Sequence, residues 1–328
     1  MSFRRCRWWP VCVLALTSLL ALAGSACAQT QKVVSLEVRG NVNISREAIM
    51  AAVTRTRIGA DFSQQQLDED VRSIRRLGWF YQVNPIVETG ADGVKIIIGV
   101  VEHPKVTAIQ ITGNTKFTEA ELLKLMSTQV GSVFNEVTFQ RDVEAIERHY
   151  RANEYRLARV TEEVDITPEG VVKIPIAEGW VEEIRVEGLK KTKQYVVMRE
   201  LDTKPGEVFY GKQLQEDLQR LRNLDYFETM EPQIADGSEP GKVKLVINVK
   251  EKKTGTVSVG LGYSSRDRLV GFADVTEHNF RGRGQQVGLR WEAGQFTNRS
   301  GYEFSFTDPW ALGKRTSLGL RLYDAATN

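Results

Sequence analysis

The chain has 328 residues, with 44 basic and 42 acidic side chains and a formal net charge of +2. Three of the basic residues lie within the first seven positions, so the rest of the chain is nearly balanced, and nothing in its charge suggests nucleic acid as a partner. All three cysteines lie before residue 30. A chain that loses this segment can therefore have no disulfide, no thiolate metal site and no cysteine nucleophile.

The N-terminal segment has the three parts of a cleavable secretory signal. Arginines precede an apolar run from Val11 to Ala23, and the small-residue sequence Ala26-Cys27-Ala28 follows it. We therefore predict a signal peptide over residues 1–28. A membrane anchor is the first alternative, but the run has 13 residues, whereas a membrane-spanning helix needs roughly 20. Lipid modification of Cys27 is the second, disfavoured because Gly24 stands where such sites usually have leucine.

A repeat is visible in the spacing of the glycines. An apolar strand ends at a glycine turn three times, and these glycines lie 73 and 75 residues apart. A second glycine follows 19, 18 and 18 residues later, each with phenylalanine three positions beyond it. Two independent spacings that agree three times predict three copies of one unit. The glycines are assigned to turns with unusual backbone angles: Gly40 and Gly59, Gly113 and Gly131, and Gly188 and Gly206.

Each unit is predicted to have the order β-α-α-β-β, with two helices on one face of a three-stranded sheet. A capping residue such as Ser45 or Thr118 begins a short helix between the two glycines. A longer amphipathic helix follows the second glycine, and an aromatic strand start and a hairpin complete the unit. The three units span residues 32–103, 104–179 and 180–252.

From about Thr254 the helical period gives way to alternation of apolar and polar residues. A soluble sandwich would also alternate, but an aromatic and aliphatic face opposite Gly, Ser, Arg and Glu favours a membrane β-barrel. Residues 254–328 are therefore predicted to form the first strands of an antiparallel transmembrane barrel. Period-two alternation assigns one face of that sheet to Trp291, Phe304, Phe306 and Leu320, and the other to Arg290, Glu303 and Arg321.

Three short sequences in this last segment point to one family: Gly260-Leu261-Gly262-Tyr263, Asn279-Phe280-Arg281-Gly282-Arg283-Gly284 and Phe306-Thr307-Asp308-Pro309-Trp310. Together with the three repeats, they resemble the BamA and TamA superfamily of outer-membrane assembly proteins, whose repeats are called POTRA domains. The resemblance runs from about Lys32 to the end of the chain. It implies POTRA domains in the periplasm and a barrel in the outer membrane of a Gram-negative-type envelope.

The barrel segment departs from the family pattern. It has about five candidate strands, whereas the smallest natural barrels have eight. The family's Val-Arg-Gly-Phe/Tyr lumen motif is absent, and Val38-Arg39-Gly40, which matches three of its letters, belongs to the first repeat. We therefore expect an incomplete barrel and a chain that is a fragment of a longer protein.

No combination of residues predicts catalysis, a metal site or a cofactor. The histidines at 103, 149 and 278 lack ligand spacing. Gly282-Arg283-Gly284 is followed by no helix and is not a phosphate loop. We therefore predict a non-enzymatic protein. The carboxylates of the long helices are assigned to solvated polar faces: Asp68, Glu69, Asp70, Glu216 and Asp217.

The edges of the sheets are the remaining candidates for a functional surface. A three-stranded sheet has edge strands whose unpaired backbone groups can bind an extended peptide by β-augmentation. The resemblance implies that POTRA domains receive unfolded substrates or bind accessory lipoproteins in this way. The candidate edges are the second strands, over Tyr81–Glu88, Ala158–Asp165 and Phe227–Gln233. The residues chosen in the last of them are Phe227, Thr229, Glu231 and Gln233.

The leading hypothesis is an assembly factor that binds unfolded β-barrel proteins and inserts them into the outer membrane. Its expected partners are those substrates, accessory lipoproteins or periplasmic chaperones, and outer-membrane lipid. A polypeptide secretion transporter of the two-partner type is the runner-up, although such transporters typically have two POTRA domains. A periplasmic scaffold that only binds partners is the third alternative.

Overall fold

The computed structural model describes residues 31–161, 164–264, 268–294 and 300–324. The signal peptide predicted over residues 1–28 lies outside the described residues. Most of the first repeat forms one compact unit, and the second and third repeats form another together with the strands that follow them.

The first repeat consists of β1 (Val33–Arg39), α1 (Arg46–Ala52), α2 (Gln64–Arg75), β2 (Phe80–Gly90) and β3 (Gly93–Glu102). Strand β3 is central, in the order β1-β3-β2, and is parallel to β1. The Ser45 side chain accepts a hydrogen bond from the N–H of Ala48 and so begins α1. The apolar faces of the helices are buried against the sheet. Fully buried side chains include Ile49, Leu67, Ile74, Ile96 and Ile98.

The second repeat consists of β4 (Ala108–Thr112), α3 (Glu119–Leu123), α4 (Glu136–Ala152), β5 (Arg159–Val160), β6 (Asp165–Ile166) and β7 (Val171–Ala177). In the described residues, the strand predicted from Ala158 to Asp165 is represented by two short strands, each paired with the central strand β7, and residues 162 and 163 lie outside the described residues. Pro175 of β7 accepts a hydrogen bond from the N–H of Thr161 but has no N–H to donate in return. The ladder is therefore interrupted at Pro175.

The third repeat consists of β8 (Trp180–Glu187), α5 (Gln194–Met198), α6 (Gly211–Asn223), β9 (Phe227–Asp236) and β10 (Lys242–Glu251). Strand β10 is central, in the order β8-β10-β9, parallel to β8 and antiparallel to β9. Its inward side chains, including Leu245 and Ile247, are fully buried beneath α5 and α6. The β-α-α-β-β prediction is therefore confirmed for the fold of the repeats.

The last segment forms one antiparallel sheet of five consecutive strands. They are β11 (Gly255–Ser264), β12 (Arg268–Phe280), β13 (Gln285–Gly294), β14 (Ser300–Asp308) and β15 (Leu318–Asp324). A single 3-10 turn at Ala311–Gly313 lies between β14 and β15. Three residues, Lys252 to Thr254, connect β10 of the third repeat to β11.

The register of this sheet confirms the predicted faces. Trp291 lies opposite Tyr302, and Phe306 lies opposite Leu320, so these side chains share one face. Arg290 lies opposite Glu303, and both side chains are on the other face. On that face Glu303 forms an ion pair with Arg321 at 3.0 Å. The apolar face is highly exposed, with Val259 at 79%. A continuous exposed apolar face opposite a polar one is the pattern of a strand sheet that faces lipid.

None of the helices in the described residues is both long enough and apolar enough to span a membrane.

Candidate binding edge and the junction of the third repeat

The first strand of each repeat starts with its outer side already paired. The N–H of Val181 in β8 donates to the carbonyl of Glu207 at 2.8 Å, and the N–H of Gly206 donates back to Val181 at 2.8 Å. Val106 and Val33 exchange equivalent bonds with the segments around Gly131 and Gly59. Within the described third repeat, β9 pairs only with β10, which makes the outer side of β9 the open edge.

The alternation along β9 determines which backbone groups face outward. The N–H of Gly237 donates to the carbonyl of Lys242 at 2.9 Å, which assigns odd-numbered residues of the strand to the ladder with β10. Pro232 agrees with this assignment, because its missing N–H falls at an outward position opposite Ile247. The outward N–H groups therefore belong to Met230, Ile234 and Asp236, and Pro232 contributes only a carbonyl.

The four residues chosen from the sequence lie on this edge strand, but they do not supply its free groups. Thr229, Glu231 and Gln233 direct their N–H and C=O groups toward β10. The register with β10 shifts between Lys250 and Glu251, so the alternation of the other residues does not extend to Phe227. The Phe227 ring packs on the core of the repeat. Proline at Thr229 or Glu231 would therefore break the sheet itself and could not test docking.

The repeated glycines all have positive φ in the structure. The values are 90° at Gly40, 86° at Gly59, 81° at Gly113, 92° at Gly131, 90° at Gly188 and 87° at Gly206. The first glycine of each pair also lies against a carbonyl of the central strand. A Cβ at Gly188, for example, would lie 2.0 Å from the Val249 oxygen, whereas a Cβ at Gly206 would meet nothing within 4 Å. The first glycine of a pair is thus required by both its positive φ and its close packing, whereas the second is required by its positive φ alone.

An aspartate on the long helix of each repeat is buried and binds the loop that follows the short helix. Asp70 accepts hydrogen bonds from the N–H groups of Thr54, Arg55 and Thr56 at 3.0, 3.1 and 2.7 Å. Asp142 and Asp217 bind the equivalent loops of the second and third repeats. The assignment of Asp70 and Asp217 to solvated faces is therefore wrong, since both side chains are fully buried.

In the second and third repeats, a glutamate at the end of the last strand binds the loop after the first glycine. Glu178 accepts from the N–H groups of Thr115 and Lys116 at 2.8 and 2.9 Å. Glu251 of the third repeat accepts from Lys191 and Thr192, both at 2.8 Å. Burial alone would raise the pKa of Glu251, but the N–H donors outweigh burial and hold that pKa below its ordinary value of 4.5.

Acidification is expected to loosen the loop that Glu251 binds. A carboxyl whose pKa is lowered by folding stabilises the protein above its unfolded pKa, and this stabilisation is lost as the pH falls through the folded pKa. Amide protection factors at Lys191 and Thr192, corrected for intrinsic exchange, should therefore decrease as the pH falls below about 4.5. A Glu251→Gln variant should have weaker protection at neutral pH and no such decrease. Identical pH profiles for the two proteins would contradict this role.

The third repeat contacts the turn between β12 and β13. The buried Asn279 side chain donates a hydrogen bond to the Thr192 hydroxyl at 2.8 Å. The N–H of Lys193 donates to the Gly282 carbonyl at 2.8 Å. A Cβ at Gly282 would lie 1.8 Å from the Lys191 carbonyl oxygen, so this approach requires glycine.

A second contact is made with the turn between β14 and β15. The indole N–H of Trp310 donates to the Glu200 carboxylate. The Arg199 and Arg315 guanidinium groups lie 5.3 and 5.5 Å from the centre of the Trp310 ring, within cation–π range. Arg315 also pairs with Asp202 at 2.9 Å. We call residues 191–202, 279–284 and 308–315 the junction.

The domain organisation agrees with known families over most of the chain. The POTRA family, described as a surface antigen variable number repeat, matches residues 31–103, 104–179 and 181–252. The Omp85 superfamily domain matches residues 279–327, which include both turns of the junction. The chain belongs to the Omp85 superfamily.

Solved POTRA structures share the architecture of its repeats. The N-terminal domain of Omp85 from Thermosynechococcus elongatus is 31% identical, with a TM-score of 0.60, and the match covers 68% of this chain and 98% of that one. The POTRA1-3 region of Omp85 from Anabaena is 27% identical, also with a TM-score of 0.60, over 68% of this chain and 96% of that one.

Curated relatives extend the similarity beyond the POTRA repeats. The outer membrane protein assembly factor BamA of Neisseria meningitidis is 25% identical over 329 aligned residues, which cover 91% of this chain and 40% of that protein. The chain spans between 21% and 44% of the length of five curated relatives that it matches.

The described part of this Omp85-superfamily chain has no group of three or more His, Cys, Asp or Glu residues that could hold a metal ion. The sequence motifs that carried the family resemblance have another role in the structure. Asn279 to Gly284 and Phe306 to Trp310 form or lead into the two turns that contact the third repeat. These contacts could not be predicted from the sequence, because Asn279 and Trp310 are 87 and 110 residues from their partners Thr192 and Glu200.

Proposed function

We propose that the chain belongs to a non-enzymatic assembly factor whose POTRA repeats bind unfolded β-barrel proteins and whose barrel inserts them into the outer membrane. It is an outer-membrane protein of the Omp85 superfamily, with its POTRA repeats in the periplasm. The open outer edge of β9 is the observation that carries the proposal. Accessory lipoproteins or periplasmic chaperones are further proposed partners, because the same backbone recognition would accept their extended segments.

The two sides of β9 fit the alternation of a barrel strand. Met230 packs on the apolar core, and Ile234 continues the same side of the strand, half exposed. Thr229, Glu231 and Gln233 occupy the opposite side and are exposed. A guest strand paired with β9 would thus meet apolar neighbours on one side and polar neighbours on the other. A transmembrane β-strand, with its own apolar and polar sides, has this alternation.

Backbone recognition also explains how one edge could serve many substrates. Main-chain N–H and C=O groups are common to all sequences, so the hydrogen bonds of the edge place no demand on side-chain identity. Specificity would come from the requirement for alternation. The missing donor at Pro232 interrupts the outer row of N–H groups, which favours reversible binding over permanent pairing.

Ile234→Pro tests this proposal. The substitution removes an outward N–H without breaking the ladder to β10, so the repeat should fold and bind substrate more weakly by roughly three- to tenfold, the value of one net hydrogen bond. Ile234→Ala is the matched control, since it removes the same side chain and keeps the N–H. The measurement is the rate at which an unfolded barrel protein becomes heat-modifiable in proteoliposomes that contain the intact protein.

Equal assembly rates for the proline and alanine variants, with unchanged unfolding of the third repeat, would contradict docking on β9. Depletion of the intact protein distinguishes the function classes. General loss of barrel proteins supports assembly, and loss of one exported polypeptide alone would replace the proposal with a secretion transporter. Retention of all barrel proteins would favour a scaffold.

A further inference from the structure

The third repeat differs from the other two at positions that contact the barrel sheet or that hold the contacting residues in place. Glu200, Asp202 and Arg220 are charged, and each has an equivalent 75 residues earlier in the second repeat. The register is secure because Asp202 and Ser127 make the same bond, through their N–H groups, to the buried aspartates Asp217 and Asp142. The equivalent residues are Leu125, Ser127 and Ala145 in the second repeat and Val53, Arg55 and Ser73 in the first.

Arg220 binds the loop that contains Glu200 and Asp202, which in turn contacts the turn between β14 and β15. Its guanidinium donates to the Glu200 carbonyl at 2.9 Å and pairs with Asp202 at 2.8 Å. It also contacts the buried Asp217. The same two loop residues bind the barrel sheet, because Arg315 donates to the Glu200 carbonyl at 3.2 Å and pairs with Asp202. A continuous polar chain thus connects the core of the third repeat to the turn between β14 and β15.

The contact between Thr192 and Asn279 also depends on a polar residue where the other repeats have an apolar one. Thr192 binds Asn279, whereas the equivalent residues are Phe117 in the second repeat and Ile44 in the first. Phe117 packs on the core of its own repeat. The third repeat has therefore exchanged an internal contact for one with the barrel turn.

We infer that the junction residues form a specific interface, which fixes the orientation of the third POTRA repeat relative to the first strands of the barrel. Three attachments act together: the link Lys252 to Thr254, the segment from Asn279 to Gly284 at the end of β12, and the turn that contains Trp310. A single covalent link would allow the repeat to rotate, whereas three separate attachments prevent rotation. Glu200, Asp202 and Arg220 are positioning residues, since they act by fixing where the repeat lies.

The consequence for assembly rests on the proposed function. The β9 edge begins next to the barrel, where the Tyr226 hydroxyl donates to the His278 carbonyl of β12 at 3.0 Å. A substrate bound to a repeat in fixed orientation has a high effective concentration at the barrel strands. A repeat that can rotate would spread that substrate over a larger volume and slow its transfer.

The test replaces the three charged residues with those of the second repeat, as Glu200→Leu, Asp202→Ser and Arg220→Ala. The second repeat folds with these residues around the same buried aspartate, so the variant should fold. Spin labels at Glu216→Cys and Ser317→Cys, in a chain whose native cysteines are replaced by serine, report the distance between repeat and sheet. We expect a narrow distribution in the parent protein, a broad one in the variant, and transfer of substrate slowed about tenfold.

Lys212→Ala is the matched control, because it removes an exposed charge from α6 of the third repeat, outside the junction. It should leave the distribution narrow. Arg315→Gln changes the interface from the barrel side alone and provides the same test should the triple variant fail to fold. An unchanged distance distribution in a folded variant would overturn the inferred interface. A broadened distribution with normal substrate transfer would overturn its role in positioning, whereas Ile234→Pro would still report separately on docking.

Discussion

Replacing Asp70 with asparagine is expected to lower the free energy of unfolding of the first repeat by about 3 kcal/mol, because a buried charged acceptor is lost. The two carboxylate oxygens of Asp70 together bind three backbone N–H groups, those of residues 54–56. Asparagine keeps one acceptor oxygen but turns an NH2 group toward these donors, which leaves part of the buried loop unpaired. Hydrogen exchange of the amides of residues 54–56 in the intact protein measures the change.

Asp68→Asn is the control, two residues earlier on the same helix. The Asp68 side chain is exposed and accepts from the Gln64 amide. Loss of its charge should change stability by less than about 0.5 kcal/mol, as is usual for surface substitutions. Similar effects of the two substitutions would show that the buried bonds of Asp70 contribute no more than a surface contact.

The burial of these aspartates could have been predicted from helical periodicity, although a charged residue type usually indicates an exposed position. Leu67, Val71 and Ile74 define the apolar stripe of α2, and Asp70 lies three residues after the first and four before the last. Helical periodicity therefore places Asp70 on the buried stripe. Asp142 and Asp217 lie at the same spacing within the stripes of α4 and α6. A carboxylate on an apolar stripe should be read as a buried hydrogen-bond acceptor before it is read as a solvated charge.

The edge strands show a different limit. The repeat spacing located β9, and Pro232 within it could have indicated which backbone groups face outward, because proline has no N–H for the ladder. In the second repeat, one missing ladder bond at Thr161 has its cause in another strand, because Pro175 of β7 has no N–H to donate. Only the register between the strands connects that proline to Thr161, and register between distant strands is not visible in a single sequence.

The junction was beyond sequence analysis for the same reason. Its turn motifs were found, but the partners of Asn279 and Trp310 are set by three-dimensional packing across the second compact unit. The internal repeat nevertheless contains a usable signal. Positions that are apolar or uncharged in the second repeat and charged in the third, such as Leu125 and Glu200, mark the surface on which the third repeat meets the barrel sheet.

Replacing Gly188 with alanine is expected to destabilise the third repeat by about 2–5 kcal/mol. The left-handed backbone, with φ of 90°, costs an alanine about 1–2 kcal/mol. The new Cβ would also lie 2.0 Å from the Val249 carbonyl oxygen, so the central strand β10 must shift. Overpacking of this kind typically costs about 1–3 kcal/mol more. Amide protection along β10 in the intact protein measures the loss.

Gly206→Ala separates the two contributions. Its φ of 87° is nearly the same, but a Cβ at this position would meet nothing within 4 Å. It should therefore lose only the backbone contribution of about 1–2 kcal/mol. The difference between the two variants isolates the cost of crowding at the start of the loop that Glu251 binds. If both alanines destabilise the repeat equally, the Gly188 turn does not press against β10 in the folded protein, and the repeat has room there for a side chain.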